Sequence, residues 1–127
     1  MENLILKETD TTPYVCLNAK TFVFEIKGES RPEYVLKFYT PLFDWLKELF
    51  NKNNSNSIEL KIELEYFNSS SAKCLFDLIS LINTYSIENN SKFTVIWSYS
   101  EFSNNILESE KELEKLTKAN FTFNKVN

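Results

Sequence analysis

Histidine is missing from the 127-residue chain, which removes imidazole acid–base catalysis, Ser-His-Asp and Cys-His nucleophile pairs, and most zinc sites. Glycine occurs once, at Gly28, so neither a Walker A loop nor a GxGxxG dinucleotide loop can be built here. The two cysteines, Cys16 and Cys74, stand far apart and form no CxxC pair, so a thiolate metal clamp and a thioredoxin-like site are also excluded. Positive charge is in deficit: the formal net charge is −4, without the basic excess of a phosphate-backbone binder, and nucleic acid is not an expected partner. Long apolar runs are lacking too. The richest stretch, Cys74 to Ile82, is broken by Asp77 and Ser80 and is too short to cross a bilayer. The opening MENLILKETD has neither the charged n-region nor the apolar h-region of a signal peptide. The expectation is a cytoplasmic protein with reduced thiols, no membrane insertion, and no cofactor or metal.

What is present suits one folded domain over residues 1–127: 43% of residues are hydrophobic, 15% aromatic and 25% charged. Leu4–Leu6 and Tyr14–Leu17 read as short strands about a turn at Thr12-Pro13. Thr21 to Lys27 alternates, with Phe22, Phe24 and Ile26 on one face. Ile58 to Tyr66 alternates more strictly, with Ile58, Leu60, Ile62, Leu64 and Tyr66 opposite Glu59, Lys61, Glu63 and Glu65. That pattern predicts a sheet with one buried and one wet face. Phe93–Trp97 and a short Phe121–Phe123 complete the strands.

Three helices are expected between them. Ser30-Arg31-Pro32-Glu33 reads as a capping box ahead of Val35, Phe38, Leu42, Trp45, Leu46 and Leu49, with Pro41 expected to kink or divide that helix. A second follows Asn68 with a wide apolar stripe. A third runs from about Asn104 to Lys118, with Ile106, Leu113 and Leu116 docked. The loop Asn51–Ser57 is a polar connector in which asparagine can take the left-handed turns a glycine-poor chain needs. The order β-β-β-α-β-α-β-α-β gives an α/β or α+β two-layer sandwich, a mixed sheet with three helices mainly on one face.

The junction Asn68-Ser69-Ser70-Ser71-Ala72-Lys73 sets consecutive hydroxyls where an alternating strand becomes an apolar helix. One reading is capping: an Asn or Ser side chain accepts a hydrogen bond from a free N–H, worth about 1 kcal/mol. The other is a phosphorylation site, because the first helical turn offers unpaired N–H groups and the positive end of the macrodipole to a phosphate carrying about −1.5 to −2 charges. Arg31, the only arginine, either pairs with Glu29 or Glu33 or anchors an acidic partner surface. Glu59, Glu63 and Glu65 on one strand face could be paired carboxylates of a hydrolase, but alternating Glu/Lys on an exposed sheet face normally serves solubility.

Three motifs together carry a resemblance. Gly-x-Ser-x-Pro-Glu (Gly28 to Glu33), Phe-x-x-Pro-x-x-x-Trp-Leu (Phe38 to Leu46) and Tyr-Phe-Asn-Ser-Ser-Ser-Ala-Lys (Tyr66 to Lys73) resemble the SiaC family of bacterial biofilm-regulation phosphoproteins. The Thr-Pro-Tyr turn near Pro13 and the Trp97 strand agree. The resemblance implies a fold like the STAS domains of anti-sigma-factor antagonists and a non-enzymatic, partner-switching role. A cognate Ser/Thr protein kinase would phosphorylate the residue after the asparagine, here Ser69, and a PP2C-type phosphatase would reverse it. The unmodified form would bind and activate a diguanylate cyclase, a GGDEF protein. Asn68, Ser70, Ser71 and Lys73 would flank the phosphate. The family commonly has Thr where this chain has Ser69, and serine keeps the nucleophilic hydroxyl. The alternative function is an anti-sigma-factor antagonist or another phospho-regulated binding module using the same site.

Overall fold

In a computed structural model, which describes residues 1–52, 56–100 and 104–126 (the side chains of 104–108 excepted), alternation and helical spacing become nine elements. They are β1 (Leu4–Leu6), β2 (Tyr14–Leu17), β3 (Val23–Ser30), α1 (Val35–Phe50), β4 (Ile58–Phe67), α2 (Ser69–Glu88), β5 (Phe93–Ser100), α3 (Asn104–Thr117) and β6 (Asn120–Val126). The strands lie side by side in chain order. β1, β2 and β3 are antiparallel, and β3 to β6 are parallel. Each parallel step needs a crossover, supplied by one helix, and right-handed crossovers that always advance in one direction place all three helices on the same side. The sandwich has two layers.

The core lies between them. Phe22, Phe24, Ile26, Ile58, Leu60, Ile62, Leu64, Val95 and Trp97 point from the sheet into Tyr39, Leu42 and Leu46 of α1 and Leu75, Leu78, Ile79 and Ile82 of α2. Burying one such side chain contributes about 1.5–3 kcal/mol. The opposite sheet face carries Glu25, Lys27, Lys61 and Glu63, and none of the three helices covers it among the described residues.

Four local expectations need correction. Ser30 does not cap α1: it is the last residue of β3, wholly buried, and α1 starts at Val35 with Tyr34 in the cap position and no side-chain cap bond. Pro41 neither divides nor ends α1, which is a continuous 16-residue helix; the proline is exposed, so the carbonyl it leaves without a donor can meet water. Tyr66 does not share the inner face of β4. The β3–β4 register runs Gly28 to Leu64 but Glu29 to Tyr66, so one extra residue on β4 forms a bulge that turns Tyr66 outward and Phe67 inward, against Trp97 at 5.8 Å. Across from that bulge Gly28 has φ +119°, a backbone conformation that residues with a side chain rarely adopt, which accounts for the single glycine. Leu116 is 58% exposed rather than docked, while Leu113 is buried as expected. The Ile106 side chain and residues 53–55 of the polar loop fall outside the described residues. The last strand is longer than expected, seven residues paired along β5. Asn90, just past α2, takes the left-handed backbone expected of asparagine at φ 53°, and Phe22 and Lys118 do so as well.

Candidate functional site

β3, β4 and β5 all end at the edge of the sheet where the helices begin, and there Ser30, Phe67 and Ser100 hand the chain on. The junction of β4 with α2 is fixed by a set of hydrogen bonds. The Asn68 N–H donates to the Ser30 carbonyl (3.0 Å), and the Asn68 side-chain oxygen accepts from the Ser71 N–H (2.9 Å), which caps α2. Below this, Tyr39 Oη donates to Ser30 Oγ (2.6 Å), Ser30 Oγ to Ser71 Oγ (2.8 Å), and Ser71 Oγ to the Ser30 carbonyl (3.0 Å). All three hydroxyls are buried and all are satisfied, so the relay ties α1, β3 and α2 together without an orphaned polar atom. Burial pushes the Tyr39 phenol up to about 12, offset in part by its hydrogen bond with Ser30.

The serine run is thereby sorted. Ser69, the first residue of α2, is exposed and has no side-chain hydrogen bond among the described residues. Ser70 is exposed, and its hydroxyl donates to the Asn68 side chain at 3.3 Å. Ser71 does not flank a surface phosphate as expected: at the third position of the helix its side chain turns inward and is sealed within the relay. Ser71→Ala removes both the acceptor of Ser30 Oγ and the donor to its carbonyl. It is expected to lower the unfolding free energy by about 1–3 kcal/mol in a urea melt.

Lys73, one turn beyond Ser69, is exposed and stands at the rim of a cleft of about 390 Å³ between α2 and α3. Ala72, Phe76, Leu113 and Leu116 make that cleft mainly apolar, and Ser69, Ala72 and Phe76 follow one another at helical spacing toward it. Tyr34, Leu36 and Tyr66 expose 68%, 67% and 46% of their surface at the same edge of the sheet, a concentration of large apolar side chains in water.

Arg31 makes the internal pair with Glu29. Its Nε pairs with Glu29 at 3.3 Å, its Nη2 donates to the Asp10 carbonyl at 3.1 Å, and its backbone N–H bonds Thr11. Glu8, Asp10, Glu29 and Glu65 line the hollow around it, so its charge is balanced within the chain. The strand carboxylates Glu59, Glu63 and Glu65 alternate with Lys61 on the open face, and no cluster of three or more metal-ligating side chains occurs among the described residues.

Residues 6–126 match the family described as SiaC family regulatory phosphoprotein. The chain belongs to the SiaC family. An uncharacterised protein of Pseudomonas aeruginosa (strain UCBPP-PA14) is 24% identical over 115 residues, covering 91% of this chain and 90% of the relative. The crystal structure of apo-SiaC from Pseudomonas aeruginosa superposes with a TM-score of 0.87 at 22% identity, over 98% of this chain and 99% of that one. Equal likeness, 0.87 at 20% identity over 97% and 99%, is found to the structure of the diguanylate cyclase SiaD in complex with its activator SiaC from the same organism. The SiaC fold thus extends across this chain. Ser30 and Tyr39 are the supporting residues that sequence reading missed; the inward phase Phe22, Phe24, Ile26, Gly28, Ser30 carried the signal for Ser30.

Proposed function

We propose that this chain is a non-enzymatic switch of the SiaC type, acting in the cytoplasm, whose unmodified form binds and activates a diguanylate cyclase and whose phosphorylated form does not. Ser69 is the modified hydroxyl. A Ser/Thr protein kinase adds the phosphate and a PP2C-type phosphatase removes it. The observation that carries the assignment is the division of labour within the serine run: Ser71 is buried, Ser70 is engaged with Asn68, and Ser69 alone combines exposure with a free hydroxyl. Family membership and the solved complex of a SiaC with its cyclase support the choice of partner.

The chemistry follows from position. The kinase places the γ-phosphoryl group of ATP on Ser69 Oγ, ADP leaves, and the hydroxyl proton is lost. The product dianion lies at the first turn of a 20-residue helix, where N–H groups lack intrahelical acceptors, and Lys73 stands four residues on, on the same face. The Asn68 cap and the hydroxyl relay hold the turn in place beneath it. In the reverse step, water displaces the phosphate and restores the hydroxyl.

Incubation with the cognate kinase and ATP, followed by intact-mass and fragment analysis, is expected to give one phosphate on Ser69 and none in Ser69→Ala. A chain that stays unmodified, or a phosphate found on Ser70 alone, defeats the assignment.

A further inference from the structure

Glu110 lies on the face of α3 turned toward the sheet, wholly buried, and neither carboxyl oxygen makes a hydrogen bond. Trp97 of β5 is equally buried, and its indole nitrogen also has no hydrogen-bond partner. An ionised carboxylate removed from water without a partner is among the costliest groups in a protein interior, whereas the neutral acid is much less so. Burial accordingly pushes the Glu110 carboxyl up to about 7; the nearby Trp97 N–H favours the charged form and offsets part of that rise, though the two do not meet in hydrogen-bond geometry.

No other charged side chain among the described residues is buried with Glu110. The α2 side chains Lys73 and Asp77 are exposed, and its buried titratable groups are Cys74, a thiol itself raised by burial, and Tyr85. Lys61, Glu63 and Glu65 of β4 are exposed, the first two on the far face of the sheet. β5 has no acidic or basic residue, and Tyr99 is the titratable group in register with Trp97; Lys125 of β6 is exposed. On α3 itself Lys111, Glu112 and Lys115 are exposed, and Glu114 is half-buried. The seat of α3 is also thin. Leu113 is the one large apolar side chain of this helix that is buried among the described residues, with Thr117 beside it.

We infer that Glu110 is a proton-operated latch, which as the neutral acid lets α3 rest on Trp97 and on ionisation drives the helix from the sheet. Ser109 and Leu113, on either side of Glu110, line the cleft against α2, so loosening α3 alters that cleft directly. The inference is independent of which serine is phosphorylated. Its sign is fixed by the raised acidity constant. Below the ordinary carboxylate range the acid is neutral whether α3 is seated or released, and the seat has full strength. As pH climbs from 4.5 to about 7, the released helix ionises first and release is progressively favoured; above that the effect levels off. The separation corresponds to a rise in the release equilibrium on the order of a hundredfold or more, of which about tenfold falls between pH 6 and 8.

The test uses Trp45→Phe, which leaves Trp97 as the one indole in a chain with two tryptophans. Its emission, followed from about pH 4 to 8.5, is expected to shift in a single transition with a midpoint between 4.5 and about 7, and Glu110→Gln is expected to remove the transition. A flat profile, or the same transition in Glu110→Gln, overturns the latch. Should the variants fold poorly, amide exchange of the unaltered chain at pH 6 and 8, corrected for intrinsic rates, gives the second reading. A protection loss of about tenfold confined to α3, with α2 unchanged, supports the inference. Unchanged α3 protection refutes it.

Discussion

Phosphate on Ser69 is expected to weaken binding of this chain to the diguanylate cyclase proposed as its partner by at least a hundredfold, with Ser69→Asp giving a smaller loss and Ser69→Ala almost none. Ser69 leads the stripe that continues through Ala72 and Phe76 into the apolar cleft between α2 and α3, and Tyr34, Leu36 and Tyr66 stand exposed at the same edge. A partner covering that surface must press a hydrated dianion into an interface that is otherwise largely apolar. Desolvating such a charge costs several kcal/mol when it is poorly paired, and each 1.4 kcal/mol is about a factor of ten in affinity. Lys73 recovers part of the loss, but as an exposed lysine it offers no more than about 1 kcal/mol. Aspartate has one charge and no tetrahedral head, hence its weaker effect. Titration calorimetry of the four forms against one cyclase preparation decides the matter, and matching affinities for the modified and unmodified chains would dispose of the switch.

The largest stability effect is expected at Trp97. Its side chain is wholly buried, stacks on Phe121 with centroids 6.2 Å apart at 13°, and meets Phe67 at 5.8 Å. Trp97→Ala opens a cavity where β4, β5 and β6 converge and should cost about 3–5 kcal/mol, since a rigid sheet collapses little around the gap. No hydrogen bond is lost, because the indole nitrogen makes none. Trp45 gives the contrast: it is half-buried, sits edge-on to Phe24, and donates to the Glu2 carbonyl at 2.9 Å. Trp45→Ala should cost clearly less in paired urea melts. An equal cost at both positions would mean that the ring cluster at β5 adds little to the core.

Period-two alternation made β3 and β4 readable residue by residue, because one sheet face is buried and the other wet. It failed at Tyr66, where an inserted residue reverses the phase; a bulge is defined by the partner strand and is invisible in the strand that contains it. The capping box failed for a related reason. Ser30 keeps the inward phase of β3, and burial of its hydroxyl with Tyr39 and Ser71 overrides a local preference worth about 1 kcal/mol. The serine run itself was evident from residue types and from its place between a strand and a helix. Which of its members is sealed inside was not. It rests on Ser30, 41 positions from Ser71, and on Tyr39, which nothing nearby in the chain announces. Arg31 was readable as a salt-bridge partner of Glu29, yet its bond to the Asp10 carbonyl depends on the β1–β2 connection folding back across β3. Glu110 is not legible in the sequence, because charged residues on a polar helix ordinarily face water.

The hydroxyl relay under Ser69 also bears on how a signal would leave this molecule. With the base of α2 bolted to two neighbouring elements from below, a group attached above has little leverage on the backbone. Modified and unmodified forms should superpose closely, so the message would be conveyed by denying access to a surface and not by reshaping it, and its reversal would require no refolding.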